Sequence, residues 1–451
     1  MIIALLILST MLAAVIPIYP ELTYSIVKCE FVLYAAIVII DIIKSRQFNL
    51  FHTWISAFVF IILSDMILCT ASDPTNTYTI PSLFYLLGNN IVLFGYLFTT
   101  ANDSRKPHYY TVKHPKYLLL FIILSIVLFI YFNTDQVVQT LAFGRILKDS
   151  TGSTTLLYTI VSALGSLLPA IIAYYFRYTA HRSVIYSLLC ALPIFVIQFI
   201  LATRFKILFQ VLPFMIIIGM IRINWVTLRS MTTMIIAATL FGIASSYLVE
   251  NRNMERGSTI YGESDYQEQH NDDVIYNMAQ NMSPEGIMHM TAMANDYFKD
   301  HELSYGRECA TMLYFWVPRS IWEEKPTQLD HWLIRKYENV SDAFSSASGF
   351  LGELRADFGW FALLFAFVIG IALKKSDVYI QRIISDNTPS FGIVFATILY
   401  PYFFFFVRSP LTASIHLIFT YLLYLIIRKL FMSRQDNTSQ QEIFEDEQSN
   451  D

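Results

Sequence analysis

Repeated apolar runs close to span length constrain this chain more than any other feature. A helix needs about 20 largely apolar residues to cross the roughly 30 Å hydrocarbon core. Backbone polar groups in lipid must be satisfied within helices or closed barrels. Twelve such runs lie near residues 2–18, 25–43, 53–70, 81–100, 117–132, 155–176, 183–200, 207–221, 231–248, 359–373, 390–407 and 411–430. Only 15% of residues are charged and 55% are hydrophobic, against about 25% charge in a soluble domain. The expected class is an all-α polytopic membrane protein with about 12 transmembrane helices. The first run, from Ile2 to Ile18, has no preceding Lys or Arg, so it reads as a short first span and not as a signal peptide.

Charge sets the expected orientation. One set of alternating loops carries Lys44, Arg46, Arg105, Lys106, Lys113, Lys116, Arg177, Arg182, Arg222, Arg229, Lys374, Lys375, Arg382, Arg428, Lys429 and Arg434. The short loops of the other set hold Lys28, Arg145, Lys148, Arg204, Lys206 and Arg408. Both termini are therefore expected in the cytoplasm, with the bilayer as the protein's constant partner. In a bacterium this places it in the inner membrane.

The expected organisation is spans 1–9 over residues 1–248, an external loop over 249–358, spans 10–12 over 359–432 and a cytoplasmic tail over 433–451. That tail is polar and acidic, with almost nothing to bury, and is expected to be disordered. The loop holds 19 of the chain's 35 acidic residues. In a bacterium it would be periplasmic. Ser283-Pro284-Glu285 reads as a helix start, followed by an apolar stripe at Ile287, Met290, Ala294 and Phe298. A second amphipathic segment runs from Leu329 to Tyr337. The aromatic stretch from Leu313 to Trp322 is too short to span and reads as an interfacial turn.

Candidate chemistry collects at the outer membrane edge. Arg204 ends the seventh span, where a guanidinium either snorkels to water or binds a phosphate at headgroup depth. Arg252 and Arg256, four residues apart, repel unless an anion lies between them; Glu250 and Glu255 compete for that role. Arg319 lies between Trp316 and Trp322, placed for cation–π stacking or for holding a phosphate or sugar. Tyr314, Trp316, Trp322 and Trp332 supply rings on which sugar C–H faces stack. For acid–base work the loop offers His289, His301, His331, Glu353 and Asp357. Glu353, glycine-flanked and just before the tenth span, would be partly desolvated and so raised toward a useful base. The competing reading pairs it with Arg355 or Lys325.

Several classes are excluded. There is no basic domain and no cysteine–histidine finger spacing, hence no nucleic-acid partner. Cys29, Cys69, Cys190 and Cys309 form no CxxC and no even set on one face, so neither a disulfide framework nor a zinc site follows. No HExxH, no histidine pair at four-residue spacing and no Gly-rich phosphate loop is present. No metal or nucleotide cofactor is expected.

Three stretches resemble the O-antigen polymerase (Wzy) and oligosaccharide repeat-unit polymerase family: residues 202–222 (ATRFKILFQVLPFMIIIGMIR), 314–326 (YFWVPRSIWEEKP) and 345–364 (SSASGFLGELRADFGWFALL). The plan of about a dozen spans with one large late loop is also similar. This resemblance implies a GT-C-like fold and an inverting, metal-independent glycosyltransferase. Donor and acceptor would be undecaprenyl-diphosphate-linked oligosaccharides, joined into a surface polysaccharide at the periplasmic face, alongside a chain-length regulator and a flippase. It implies Arg204 near the diphosphate, Arg319 in the loop element and Glu353 as the acid before span ten. The chain departs from the paired Arg-x10-Gly pattern of some members: Met215 stands eleven residues after Arg204, and His331 has no motif around it.

Two rivals share the plan. An O-antigen ligase would have the same arginines with a different acceptor. A lipid-linked sugar or drug transporter would carry more charge within its spans, whereas Asp65 reads as the only acid well inside an apolar run.

Overall fold

The computed structural model describes residues 1–71, 73, 75–100, 109–143, 155–179, 183–201, 204–219, 273–281, 286–314, 317, 321–337, 347–385 and 390–435. In chain order the elements are α1 (Ile2–Val15), α2 (Thr23–Ser45), α3 (Leu50–Ala71), α4 (Thr79–Phe98), β1 (Tyr109–Val112), α5 (Pro115–Phe143), α6 (Thr155–Tyr178), α7 (Val184–Ile200) and α8 (Arg204–Ile218). Beyond residue 272 come α9 (Val274–Asn281), α10 (Ile287–Asp300), α11 (Arg307–Tyr314), α12 (Leu329–Tyr337), α13 (Gly349–Phe358), α14 (Ala362–Ser385), α15 (Gly392–Arg408), α16 (Pro410–Phe431) and β2 (Met432–Gln435).

The protein is an all-α membrane protein whose described residues include six helices long and apolar enough to cross a bilayer; α1, α7, α8 and α15 supply shorter apolar helices. The expected ninth span at 231–248, the helix start at Ser283-Pro284-Glu285 and most of the tail lie outside the described residues. One small sheet was not expected. β1 and β2 pair antiparallel with Tyr109 opposite Gln435 and Val112 opposite Met432, tying the chain after α4 to the end of α16.

Helix ends sort onto two sides. On one side Asp377 at the foot of α14 accepts the Leu50 amide at 3.1 Å and the Tyr96 hydroxyl at 2.6 Å. Tyr110 of β1 accepts the Phe391 amide at 2.8 Å, the Phe391 ring meets Tyr174 of α6, and Arg177 donates to the Ile217 carbonyl at the end of α8. On the other side Asp273 meets Tyr24 and Lys28 of α2, Asp65 meets Met288, and Tyr78 meets His289. The described helices thus alternate direction in the order that the loop charges required. The basic residues Arg46, Lys113, Arg177, Lys374 and Lys429 sit at the strand end, and the late loop sits at the other.

Close packing depends on small residues, as helices in lipid require. α4 and α14 run side by side. A Cβ on Gly95 would stand 2.5 Å from the Phe367 carbonyl oxygen, and one on Gly370 would collide with that of Val92. The neighbouring core is aromatic: Trp54 of α3 donates to Asn89 of α4 at 2.9 Å and meets Phe350 of α13 edge-on at 5.1 Å.

A correction concerns acids within spans. Asp65 is not alone, because Glu30 is fully buried in α2. Its position early in a run that also carries Lys28 hid it among interfacial charges.

Candidate active site at the junction of loop and bundle

The four loop helices α10 to α13 form a layer with its own apolar centre. Met290, Met293, Ala294, Leu329, Leu333, Ile334 and Ala356 are buried there, with Tyr297, Phe298 and Trp332 packed around them. The Leu329–Tyr337 segment is the helix its periodicity predicted. The layer rests on α3 and α4 through buried polar contacts.

Acids organise it. A helix N-terminus carries unsatisfied amides and a partial positive charge, so a carboxylate stabilises it. Asp65, from inside α3, accepts the Met288 amide at 2.7 Å and fixes the start of α10. Asp357 accepts the Glu308 and Cys309 amides at 3.0 and 2.8 Å at the start of α11. Glu308 in turn accepts the Leu329 amide at 2.9 Å, opening α12, and lies 3.4 Å from the Trp332 indole nitrogen and 3.3 Å from Arg307. Burial raises the Glu308 carboxyl above its ordinary value, although Trp332 and Arg307 oppose that. Burial, reinforced by Asp357, pushes the Cys309 thiol up to about 12.

Glu353 sits apart from these caps. It is buried in α13 and accepts the Ser348 hydroxyl at 3.1 Å. The glycines around it serve one contact, with the Tyr85 hydroxyl of α4. That hydroxyl donates to the Ser348 carbonyl at 2.7 Å and accepts the Gly352 amide at 3.2 Å. Gly349 holds φ at +69°, and any side chain there would strike Tyr85; only glycine combines that angle with that approach. The SGFLGE pattern is therefore what lets α13 seat its acid against α4.

The two competing partners make contacts of their own. Lys325 donates to the Val317 carbonyl at 3.0 Å. Arg355 donates to Asn295 of α10, with its guanidinium against both the Phe84 and Trp360 rings. Of the other expected residues, Trp332 is half-buried, edge-on to Tyr297 at 5.2 Å and tied to Glu308. Trp322 is exposed and meets Tyr314 edge-on at 5.2 Å. Arg204 opens α8 and His331 lies in α12; their side chains are not among the described ones. Arg252, Arg256, Trp316 and Arg319 lie outside the described residues. The structure thus brings Glu353 and Trp332 into the loop layer.

Tyr85, Glu308 and Arg355 were missed as organising residues. Glu308 carried a signal: Tyr305-Gly306 forms a turn at positive φ directly before it, and an acid in a first helical turn favours the helix dipole. Tyr85 carried none, since a tyrosine in an apolar helix looks like core. Comparison of the chain with protein-family models, with curated proteins and with solved structures gives no match.

Proposed function

We propose that this protein is an inverting membrane glycosyltransferase that joins lipid-diphosphate-linked oligosaccharide units into a surface polysaccharide. The late loop would face the outside of the bacterial inner membrane. The observation that carries this reading is the buried carboxylate of Glu353, held where the hydrophilic loop meets the next membrane helix. A donor already activated as a lipid diphosphate needs no nucleotide site. The enzyme has to supply a base for the acceptor hydroxyl and cations for the leaving group.

In this reading Glu353 takes the proton of the acceptor hydroxyl. The freed oxygen attacks the anomeric carbon opposite the leaving group. The bond from that carbon to the diphosphate oxygen breaks, and its electron pair leaves with the diphosphate; the proton then passes from Glu353 to water. Arg204, Arg252, Arg256 and Arg319 are the proposed cations, His331 a second candidate base, and Trp316, Trp322 and Trp332 the proposed sugar platforms.

The test is complementation of a deletion strain with Glu353→Gln, scoring polymer length and membrane level of the protein together. Single repeat units with normal protein levels are expected, since loss of a general base costs about 10²–10⁴-fold. Unchanged polymer would overturn the reading. Accumulated lipid-linked polymer would point to a ligase, and absence of external lipid-linked substrate to a transporter.

A further inference from the structure

Among the described residues Arg355 is a half-buried cation without a counter-ion. Its guanidinium carbon stands 4.5 Å from the centre of the Phe84 ring and 4.9 Å from that of Trp360. Nη2 donates to the neutral amide oxygen of Asn295. Nη1 is buried and has no hydrogen-bond partner. No carboxylate pairs with Arg355 among the described residues. Glu353 and Asp357 stand two residues away on either side, off its helical face, and both Asp357 oxygens are taken by the amides of Glu308 and Cys309.

Withdrawing a guanidinium partly from water without a partner is unfavourable, and the unmet buried Nη1 donor adds to the cost. A fold retains such a group where something else completes it. The stacked guanidinium offers a fork of donors suited to a phosphate. What surrounds it says where the phosphate comes from. Trp360 is 48% exposed, and Phe361 and Leu364 beyond it are 73% and 66% exposed, an apolar face open to lipid at the end of the bundle that carries the loop. Trp360 meets Phe84 edge-on at 5.3 Å and stands beside the guanidinium on that exposed apolar side.

We propose that Arg355 binds the phosphate of a lipid that enters the seam between α4 and α13 from the bilayer, beside Trp360. That the lipid is the polyprenyl diphosphate of the substrate rests on the glycosyltransferase reading; the phosphate site itself does not.

The test uses the purified full-length protein in detergent and follows the melting temperature with farnesyl diphosphate, farnesol or dioleoylphosphatidylglycerol. Farnesyl diphosphate is expected to raise the Tm of the wild type by several degrees and farnesol to leave it unchanged. Arg355→Gln is expected to lose the shift while its ligand-free Tm stays equal or rises, and Arg355→Lys to keep part of the shift. An equal shift from phosphatidylglycerol, also lost in Arg355→Gln, would uphold the phosphate site and overturn its link to the substrate. Equal shifts in wild type and Arg355→Gln would overturn the site. So would a large ligand-free loss of Tm in both Arg355→Gln and Arg355→Lys, which would make the guanidinium a structural strut.

Discussion

The Asp65 carboxylate accepts the Met288 amide at 2.7 Å across 223 residues of sequence. A helix of the late loop thus begins on a side chain from within an apolar helix. This bond makes the loop layer part of the bundle, and it gives an intramembrane acid a structural task that a transporter reading would have assigned to cargo.

Asp65→Ala is expected to release the start of α10. Losing a cap costs about 0.5–2 kcal/mol, and leaving the buried amide unmet adds about 1–3 kcal/mol. Limited proteolysis should cut first between residues 286 and 314, while the apolar helices stay protected. Unchanged cleavage would mean that α10 is held by its apolar face alone.

Glu308 gives the loop layer a pH dependence of defined sign. Its folded pKa is raised by burial, so the folded state keeps the proton longer than the unfolded one. Stability from this group is full below the ordinary glutamate value of about 4.3 and declines as pH rises from there toward the raised value. Glu308→Gln should flatten that decline in thermal melts between pH 4 and 7. A steeper decline in the variant would contradict this account.

Cys309 should be chemically quiet. Its thiol is pushed up to about 12 by burial and by Asp357, against about 8.5 for a free cysteine. Maleimide labelling of the folded protein at pH 8 should be slow. Asp357→Asn, which removes the adjacent charge, should accelerate it. Fast labelling of the wild type would show that α11 opens readily.

Gly370→Leu should separate α4 from α14. The added side chain meets the Val92 carbonyl and the Gly95 backbone, neither of which is a flexible group. Overpacking of this kind costs about 1–3 kcal/mol or more, read as a lower melting temperature in detergent. Gly286→Ala makes a useful comparison, because its positive φ of 72° costs backbone strain at a helix start without touching the α4–α14 seam.

Much of the fold was legible because span length and loop charge are local. The apolar runs located the described membrane helices to within a few residues, apart from α5, which runs on to Phe143, and α14, which runs on to Ser385, both well past their apolar stretches. Charge alternation predicted which helix ends share a side. The candidate site was legible only in part. Glycines flanking Glu353 marked an acid next to the membrane, and helical periodicity marked α12.

The remainder depended on contacts between distant residues. Nothing near Tyr85 in the chain announces that its hydroxyl will join Ser348 and Gly352, and nothing near Arg355 announces Phe84. Hydrophobic length is written residue by residue, so the sequence by itself determined where most of the described apolar helices lie. Whether an acid becomes a helix cap, as Asp65, Asp357 and Glu308 do, or a seated carboxylate, as Glu353 does, depends on which amide or hydroxyl tertiary packing brings within 3 Å or so of it. Only the folded structure decided that.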